Sequence, residues 1–360
     1  MPTITKTEKI NQHLWNTITE LRKQGKVQLP TEESICQEVG ASRGIVRRVM
    51  DELVDGGIVR RIAGKGTFIK EERDPKIIKS GKIPVLGMAY DIVELSEFRT
   101  RVIRSVARAA QQRGFEVMVC SMNETNTLLN SWFPGRRGMA ELVGFISCSF
   151  TVESLKILND SKRKIPYVAL INPIYSKYAR YSVLRKDHFE LPFYYLAKLN
   201  HRRIWLMEHE LNSEFLDQMR DALKVVQEKV GPLKVSIKEC DYDSVRIDED
   251  IARLAQMRPD ERPSAILCHD DKVAAWVVRS IKKYGLKVPE DISVLGVGNF
   301  DMGNFTTPRL TTATISYECL GDEAVDLFIR QLNGEKIIDP IRYVNYHIVE
   351  RETCAPCSIK

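Results

Sequence analysis

The chain has 360 residues, 43% of them hydrophobic, and its 54 Lys and Arg against 48 Asp and Glu give a net charge of +6. A chain of this length is expected to form two or three domains with sizeable cores. No stretch approaches the roughly 18 uninterrupted apolar residues of a membrane span, and the first residues lack the apolar core of a signal peptide. We therefore predict a cytoplasmic protein without membrane association.

The positive charge is concentrated near the N-terminus. Residues 1–82 carry 16 Lys and Arg against 11 Asp and Glu, whereas the rest of the chain carries 38 against 37. Nearly all of the excess therefore belongs to one quarter of the chain, as expected if that quarter alone meets a polyanion.

The N-terminal quarter has the pattern of three helices followed by a hairpin. Residues 8–24 place apolar side chains at helical spacing, and Thr31 is a suitable N-cap for a second helix. Gly40 marks a turn, and Ser42 caps a third helix whose apolar positions face inward. Two short strands joined by the tip 63–66 follow. This is the pattern of a winged helix-turn-helix domain over residues 1–70.

The third helix carries a group of basic side chains on its outer and flanking faces. The first two turns of such a helix enter the major groove of DNA, where Arg can bind guanine or phosphate, and wing-tip glycines permit close approach to a backbone. A solvated helix face is the plainer interpretation of such a cluster, but the charge excess ends where the helix-and-wing pattern ends. The candidate DNA-binding residues are Thr31, Ser42, Arg43, Gly44, Arg47, Arg48, Lys65 and Gly66.

The segment LPTEESICQEVGASRGIVRRVMDELVDGGIVRRIAGKGTF, residues 29–68, resembles the DNA-binding domain of GntR-type bacterial transcription regulators. The resemblance implies base or phosphate contacts from the Ser42-Arg43 pair and Arg47, and a minor-groove role for the wing tip. Two positions depart from the family pattern: Glu33 stands where Arg is usual, and Ile45 replaces Thr.

A polar linker is predicted at residues 71–83, and an alternation of apolar strands and helices follows from residue 84 to the C-terminus. Alternation of this kind predicts an α/β domain with parallel sheets covered on both faces. Because a single sheet needs fewer residues, we expect two similar lobes with a cleft between them over residues 84–360.

The segments GLKVPEDISVLG, PRLTT and LGDEAVDLF, together with NHRRI at 200–204, are similar to the effector domain of LacI/GalR-type repressors, a relative of periplasmic sugar-binding proteins. The resemblance implies a two-lobed, hinged domain that binds a small molecule, dimerises and has no catalytic activity. By the same resemblance, Asp271 aligns with a sugar-binding Asp. Asp270 beside it could bind a ligand or cap a helix, and we expect the cap.

Further cleft residues are predicted from position alone, since ligands of such domains lie at the carboxyl ends of the strands. Phe215 falls near the position of the Arg that grips sugar hydroxyls in many relatives, which implies a less polar pocket. Buried core positions are the plainer explanation for the aromatic candidates. The remaining effector-binding candidates are Glu97, Phe98, Trp132 and Trp276.

No catalytic, metal or cofactor site is predicted. The glycines at 64–66 and 296–298 lack the spacing of a phosphate loop or a dinucleotide fingerprint. His269 and the acidic residues next to it could form a metal cluster, but adjacent residues of a strand point to opposite faces of the sheet. Cys354 and Cys357 could bind metal or form a local disulfide, but no second ligand pair completes a tetrahedral site.

The sequence therefore predicts a transcriptional regulator, acting as a repressor, that binds double-stranded operator DNA as a homodimer and responds to a sugar-like effector. A cytoplasmic sugar-binding module and an enzyme of the same fold are the alternatives. The N-terminal domain argues against the first, and the missing catalytic motifs argue against the second.

Overall fold

The computed structural model describes residues 10, 13–14, 17–18, 20–21, 27–55, 59–62, 66–69, 83–90, 97–121, 140–160, 165–171, 178–186, 188–209, 211, 213–240 and 244–357. The predicted linker lies outside these residues except for Ile83. The predicted site residues Lys65 and Trp132 also lie outside them. Among the described residues, no helix is both long and apolar enough to cross a membrane.

The N-terminal domain has the helices and the wing that the sequence predicts. Residues 10, 13–14, 17–18 and 20–21 are helical, and the helix is anchored by Ile10, Leu14 and Ile18, which are fully buried. Helices α1 (Glu32–Val39) and α2 (Arg43–Asp55) follow, and strands β1 (Val59–Ile62) and β2 (Gly66–Ile69) pair antiparallel.

Caps and a left-handed residue fix the angle between the two short helices. The hydroxyl of Thr31 accepts a hydrogen bond from the Ser34 N–H at 3.2 Å and satisfies one of the free donors at the start of α1. Gly40 ends α1 with φ 63° and ψ 38°, a conformation that favours glycine. Ser42 then precedes α2, and its carbonyl accepts from Val46 N–H at 3.2 Å.

The larger domain is built on one sheet of 11 strands in the order β4-β3-β5-β6-β7-β13-β12-β11-β10-β8-β9. The first half of this sheet, with its helices, forms the N-terminal lobe. Its elements are β3 (Ile83–Tyr90), α3 (Glu97–Gln112), β4 (Glu116–Ser121), β5 (Ala140–Ser147), α4 (Val152–Leu158), β6 (Tyr167–Ile171) and β7 (Ser182–Lys186).

The second half forms the C-terminal lobe, and the last helix returns to the first lobe to pack against α3. Its elements are α5 (Glu190–Lys198), β8 (Arg203–Glu208), α6 (Ser213–Val230), β9 (Lys234–Glu239), α7 (Ser244–Gln256), β10 (Ala265–Cys268), α8 (Asp271–Lys283), β11 (Ser293–Val297), a 3-10 turn (Asp301–Asn304), β12 (Thr311–Ile315), α9 (Tyr317–Leu332) and β13 (Ile341–Val349).

Strand β13 joins the two halves. Its residues 341–345 pair parallel with β7, and residues 346–349 pair antiparallel with β12. All other pairs in this sheet are parallel. The prediction of a parallel α/β architecture is confirmed. The antiparallel β12–β13 pair arises because the chain enters the first lobe as α9 and then crosses back.

The C-terminal tail packs against the sheet through a buried histidine and a thiol. His201 is 2% exposed; its Nδ1 lies 2.9 Å from Ser264 Oγ and its Nε2 lies 3.1 Å from the Ala355 carbonyl. Both Cys354 and Cys357 are free thiols. Cys354 Sγ donates to the Val294 carbonyl at 3.2 Å, and burial raises its pKa to about 12. The tail is therefore held by hydrogen bonds and packing.

Acid is expected to loosen this tail through His201. Burial lowers the pKa of His201 from 6.5 to about 4, so the unfolded chain binds the proton more readily between these values. The contribution of His201 to the free energy of unfolding is fully present above pH 6.5 and declines as the pH falls toward 4. At pH 5 the loss is about 2 kcal/mol. Urea unfolding of the protein at pH 7.5 and pH 5 should show this loss. A His201→Gln variant, which cannot titrate, should lack this part of the pH dependence. If its free energy of unfolding falls with pH as steeply as that of the unmodified protein, His201 is not the cause of the loss.

Candidate functional site

The start of α2 presents an exposed basic surface. Ser42, Arg43, Gly44, Arg47 and Arg48 are all solvent-exposed, whereas the apolar positions between and after them face the core of the domain. The cause is helical periodicity, which places residues three and four apart on one face. An exposed run of arginines at a helix N-terminus can insert into the major groove and bind base edges or phosphates.

Gly44 lies on this surface with open space beside it. A Cβ atom at Gly44 would meet nothing within 4 Å, so packing inside the protein does not require glycine there. Gly44→Ala should stabilise the helix by about 0.5–1 kcal/mol. If the DNA backbone passes this position, the same change should weaken DNA binding about tenfold, or 1.4 kcal/mol. Thermal unfolding and a DNA titration would measure the two effects separately, and unchanged DNA affinity would place the backbone elsewhere.

The two departures from the family pattern have different structural settings. Glu33 lies on the exposed surface, with its carboxylate 3.8 Å from the Arg43 guanidinium, and both side chains are more than 70% exposed. An exposed pair of this kind contributes little to stability, but it places a negative charge beside an Arg that is predicted to bind DNA. Ile45 is half-buried and packs against the domain core, so its effect at the groove is indirect.

The wing is tied to both helices by Arg61. Its guanidinium donates to Glu32 at 2.9 Å and to Asp51, and both bonds together with the two carboxylate charges raise its pKa. Arg61 therefore orients β1 rather than facing DNA. Arg60 on the same strand is exposed, and Gly66 opens β2 with φ 112°. The structure thus brings seven of the eight predicted DNA-binding residues to one domain; Lys65 lies outside the described residues.

A cavity of ≈ 790 Å³ lies where the two lobes meet, which is large enough for a small ligand. Helix α3 supplies one wall, the crossing segments of β12, α9 and β13 supply another, and Leu53 of helix α2 in the DNA-binding domain also lies on the lining. Residues on this lining include Glu97, Arg101, Asn299, Asp301, Tyr317, Tyr346 and His347.

Three charged side chains link the lobes at the cavity rim. The Arg101 guanidinium donates to Glu97 at 2.9 Å and to Asp301 at 3.0 Å, and the Asp301 N–H donates to Glu97 at 3.1 Å. Glu97 and Arg101 belong to the N-terminal lobe and Asp301 to the C-terminal lobe. A change in the angle between the lobes must therefore stretch or exchange these bonds.

A second group lies at the carboxyl end of β7. Nη1 of Arg185 donates to the Tyr346 hydroxyl at 3.1 Å, and that hydroxyl lies 3.0 Å from His188 Nδ1. Burial, with the charge of Arg185, holds the pKa of His188 well below its usual value. The neutral ring can therefore accept a hydrogen bond from the Tyr346 hydroxyl. Nε of Arg185 is buried and has no hydrogen-bond partner among the described residues. Such a donor is suited to a polar ligand.

Phe98 lies beneath the cavity wall. Its ring meets Tyr317 edge-on with centroids 6.0 Å apart, and the Arg185 guanidinium lies 5.4 Å from its centroid. Phe98 therefore supports Arg185 and Tyr317. Of the predicted effector residues that the structure describes, only Glu97 is on the lining itself.

Asp270 and Asp271 have separate structural roles. Asp270 caps α8, as expected, by accepting from Val273 N–H at 2.8 Å. Asp271 is fully buried; its Oδ1 accepts from the Thr312 hydroxyl at 2.7 Å and its Oδ2 from Phe300 N–H at 2.6 Å. Burial raises the pKa of Asp271 to about 6 despite these bonds.

The side chain of Asp271 does not reach the cavity lining in this structure. The carboxylate joins the start of α8 to β12 and to the loop after β11, and no part of it is exposed. A ligand could reach it only by replacing one of these bonds. Its role in binding an effector stays a prediction.

Two of the aromatic candidates, Phe215 and Trp276, are half-buried and pack against the hydrophobic core. Phe215 meets Phe189 edge-on at 5.0 Å in the main hydrophobic cluster. Trp276 packs against the second cluster, with the Lys272 ammonium 5.0 Å from its ring. Neither lines the cavity, because each side chain fills space between a helix and its neighbours.

Sequence reasoning missed Arg101, Arg185, Asn299 and Tyr346. Arg185 could have been found, since it lies near the end of a short strand and strand ends form such sites. Asn299 has φ 55°, and its side chain accepts from Arg351 at 2.7 Å, which no local sequence pattern indicates.

Comparison with known proteins identifies both domains. Residues 6–69 match the model of the bacterial regulatory proteins of the gntR family, and residues 193–354 match a periplasmic binding protein-like domain. The chain is 24% identical over 360 residues to the arabinose metabolism transcriptional repressor of Geobacillus stearothermophilus, covering 96% of this chain and 95% of that protein.

Solved structures share the fold of the larger domain. A LacI family transcriptional regulator from Enterococcus faecium with bound ribose has a TM-score of 0.60 and 19% identity, covering 76% of this chain and 100% of that one. A LacI family regulator from Arthrobacter in complex with lactose has a TM-score of 0.58 and 18% identity, covering 76% and 99%. At these identities the likeness establishes the fold alone.

Proposed function

Because this chain joins a gntR-family DNA-binding domain to a periplasmic binding protein-like domain, we propose that it is a transcriptional repressor controlled by a sugar. The sugar, or a sugar derivative, binds in the cavity between the lobes and changes the affinity for operator DNA. One relative that aligns with almost the whole chain is named a transcriptional repressor, which supports this assignment.

One observation carries the proposal. The exposed arginines of α2 and a polar cavity at the junction of two lobes occur in the same chain. Sugar hydroxyls both donate and accept hydrogen bonds, and the cavity lining offers both kinds of partner: Arg101 as donor, and the carboxylates of Glu97 and Asp301 as acceptors. Arg185 lies behind the lining and donates to the hydroxyl of Tyr346, which is on it.

The lobes provide the coupling between the two sites. A ligand that binds one lobe angle better than the other shifts the population toward it. The bonds among Glu97, Arg101 and Asp301 cross between the lobes, so their exchange can accompany the movement. In a homodimer, this movement would alter the spacing of two DNA-binding domains on a near-palindromic operator.

The remaining parts of the proposal follow from this function. The domains are residues 1–70, 71–83 and 84–360, the location is cytoplasmic, and the protein has no enzymatic activity. Repressors act on DNA inside the cell and need no catalytic group. The charged residues Glu97, Arg101 and Asp301 of the cavity lining are engaged in hydrogen bonds between the lobes, which suits binding and coupling.

Arg185 offers a test of the ligand site. Arg185→Met removes the guanidinium, and with it the buried Nε donor, the hydrogen bond to Tyr346 of the cavity lining and the contact with the Phe98 ring. We expect this variant to bind DNA normally and to lose at least about tenfold in sugar affinity, or 1.4 kcal/mol. A thermal-shift screen of the full chain with arabinose, ribose, lactose, sugar phosphates and sugar acids would identify the sugar to use. The control is Arg220→Met on α6, whose partner is Asp217 at 2.9 Å. Equal sugar affinity in both variants would contradict the assignment of the sugar to this cavity.

A further inference from the structure

A cluster of metal-ligand side chains lies at the carboxyl ends of three adjacent strands of the C-terminal lobe. Strands β9, β8 and β10 are neighbours and run parallel. Glu208 ends β8 and His209 follows it, while Cys240 follows β9 and His269 follows β10. None of these residues lines the cavity between the lobes. The cluster therefore lies apart from the lining of this cavity, next to the effector candidate Asp270.

The geometry suits a small cation. One ligand atom from each of Glu208, His209 and His269 lies within 4.8 Å of the other two. The closest pair, Glu208 Oε1 and His209 Nδ1, is 3.0 Å apart, and the two imidazole rings have centroids 4.4 Å apart. Ligand atoms around tetrahedral zinc are about 3.3 Å apart, because each lies about 2.0–2.1 Å from the ion. Small side-chain rotations bring all three atoms into range.

The cluster is held in place by the sheet. His269 N–H donates to the Met207 carbonyl at 3.0 Å, and Cys240 N–H donates to the Glu208 carbonyl at 2.9 Å. The side chains of Glu208 and His269 are 5% and 8% exposed, whereas that of His209 is 43% exposed. Two ligands are therefore fixed within the protein, and the third is open to solvent.

The charges around His269 favour a cation. Asp270 Oδ2 lies 3.8 Å from His269 Nε2, and Glu208 adds a second carboxylate on the other side. Cys240 Sγ lies 3.7 Å from His269 Nδ1. That contact helps to orient the ring, as outer partners of ligating histidines do.

We propose that Glu208, His209 and His269 bind one Zn²⁺ ion, or a similar divalent transition-metal ion. Two imidazoles and one carboxylate suit zinc and its neighbours, whereas Mg²⁺ and Ca²⁺ prefer oxygen ligands. Three protein ligands leave a fourth position for water or for a ligand group. The site does not depend on which sugar binds, or on whether one binds at all.

The experiment uses the untagged full chain, kept reduced and stripped of metal with a chelator. Zinc chloride is titrated against the protein in competition with a chromophoric chelator. We expect one zinc ion per chain, and His209→Ala or His269→Ala should weaken its binding at least about 100-fold. His209→Ala removes an exposed side chain, so this variant should fold, and unchanged thermal unfolding without metal would verify that it does.

A matched control is available in the DNA-binding domain. His13 Nε2 lies 2.9 Å from Glu38 Oε2, a His–Glu pair of the same kind, and no second imidazole joins it among the described residues. His13→Ala should leave zinc binding unchanged. No saturable zinc binding in the unmodified protein, full binding in His209→Ala, or loss of binding in His13→Ala would each overturn the proposal.

Discussion

Replacing Arg43 and Arg47 together by alanine should lower the affinity for operator DNA about 100-fold or more. Both side chains are exposed on the first turns of α2, and each bidentate bond to a base contributes about 1–3 kcal/mol. If either residue binds phosphate instead, the slope of log affinity against log salt should also fall by about 0.9 for each phosphate that is no longer neutralised. Fluorescence polarisation with a labelled duplex at several salt concentrations would measure both effects.

The control for this variant is a pair of exposed arginines elsewhere. Arg220 and Arg253 lie on helices of the larger domain and pair with Asp217 and Asp250. Changing both to alanine removes the same net charge, so a general electrostatic effect would appear equally in both proteins. If the two double variants bind DNA alike, α2 is not the recognition helix.

The second large effect is expected at Gly296 in β11. A Cβ atom there would lie 2.2 Å from Asp271 Oδ1 and 2.9 Å from Leu310 Cδ2. Gly296→Ala must therefore displace the buried carboxylate from the Thr312 hydroxyl and the Phe300 N–H. Hydrogen bonds to a charged group contribute about 1.5–3 kcal/mol each, so we expect a loss of at least about 3 kcal/mol. Urea unfolding followed by tryptophan fluorescence would measure it.

Gly44→Ala is the matched control for this change, since a Cβ there meets no atom within 4 Å. A loss of less than about 1 kcal/mol in Gly296→Ala would mean that the carboxylate relaxes easily. Asp271 could then turn toward a ligand, as its alignment with a sugar-binding residue implied. A large loss would establish Asp271 as a structural residue of the C-terminal lobe.

The DNA-binding domain was readily predicted because its signals are local. Helical spacing identified Ile10, Leu14 and Ile18 as core residues, and the Thr31 cap and the Gly40 turn separate the helices as expected. Each of these signals lies within a few residues of the feature it predicts. For the same reason, exposure of the arginines on α2 followed directly from the pattern.

The cavity was harder to predict because its residues meet only through the topology. Arg185 and Tyr346 are in contact because β13 pairs with β7, and polar residues interrupt the apolar pattern of both strands. Asp270 and Asp271 are adjacent in sequence, yet one caps a helix at the surface of the lobe and the other is fully buried. Similarly, His269 meets Glu208 and His209 because β10 lies beside β8.

The central claim is that a sugar in the cavity changes operator affinity, and one titration tests it directly. The full chain is titrated against duplex DNA from upstream of its own coding region, with and without each sugar, sugar phosphate and sugar acid of the screen. We predict salt-dependent binding that at least one of these compounds shifts about 5- to 150-fold, with the same factor on sugar affinity when DNA is bound. Operator affinity that no compound changes, or no preference over unrelated duplex, would contradict the account.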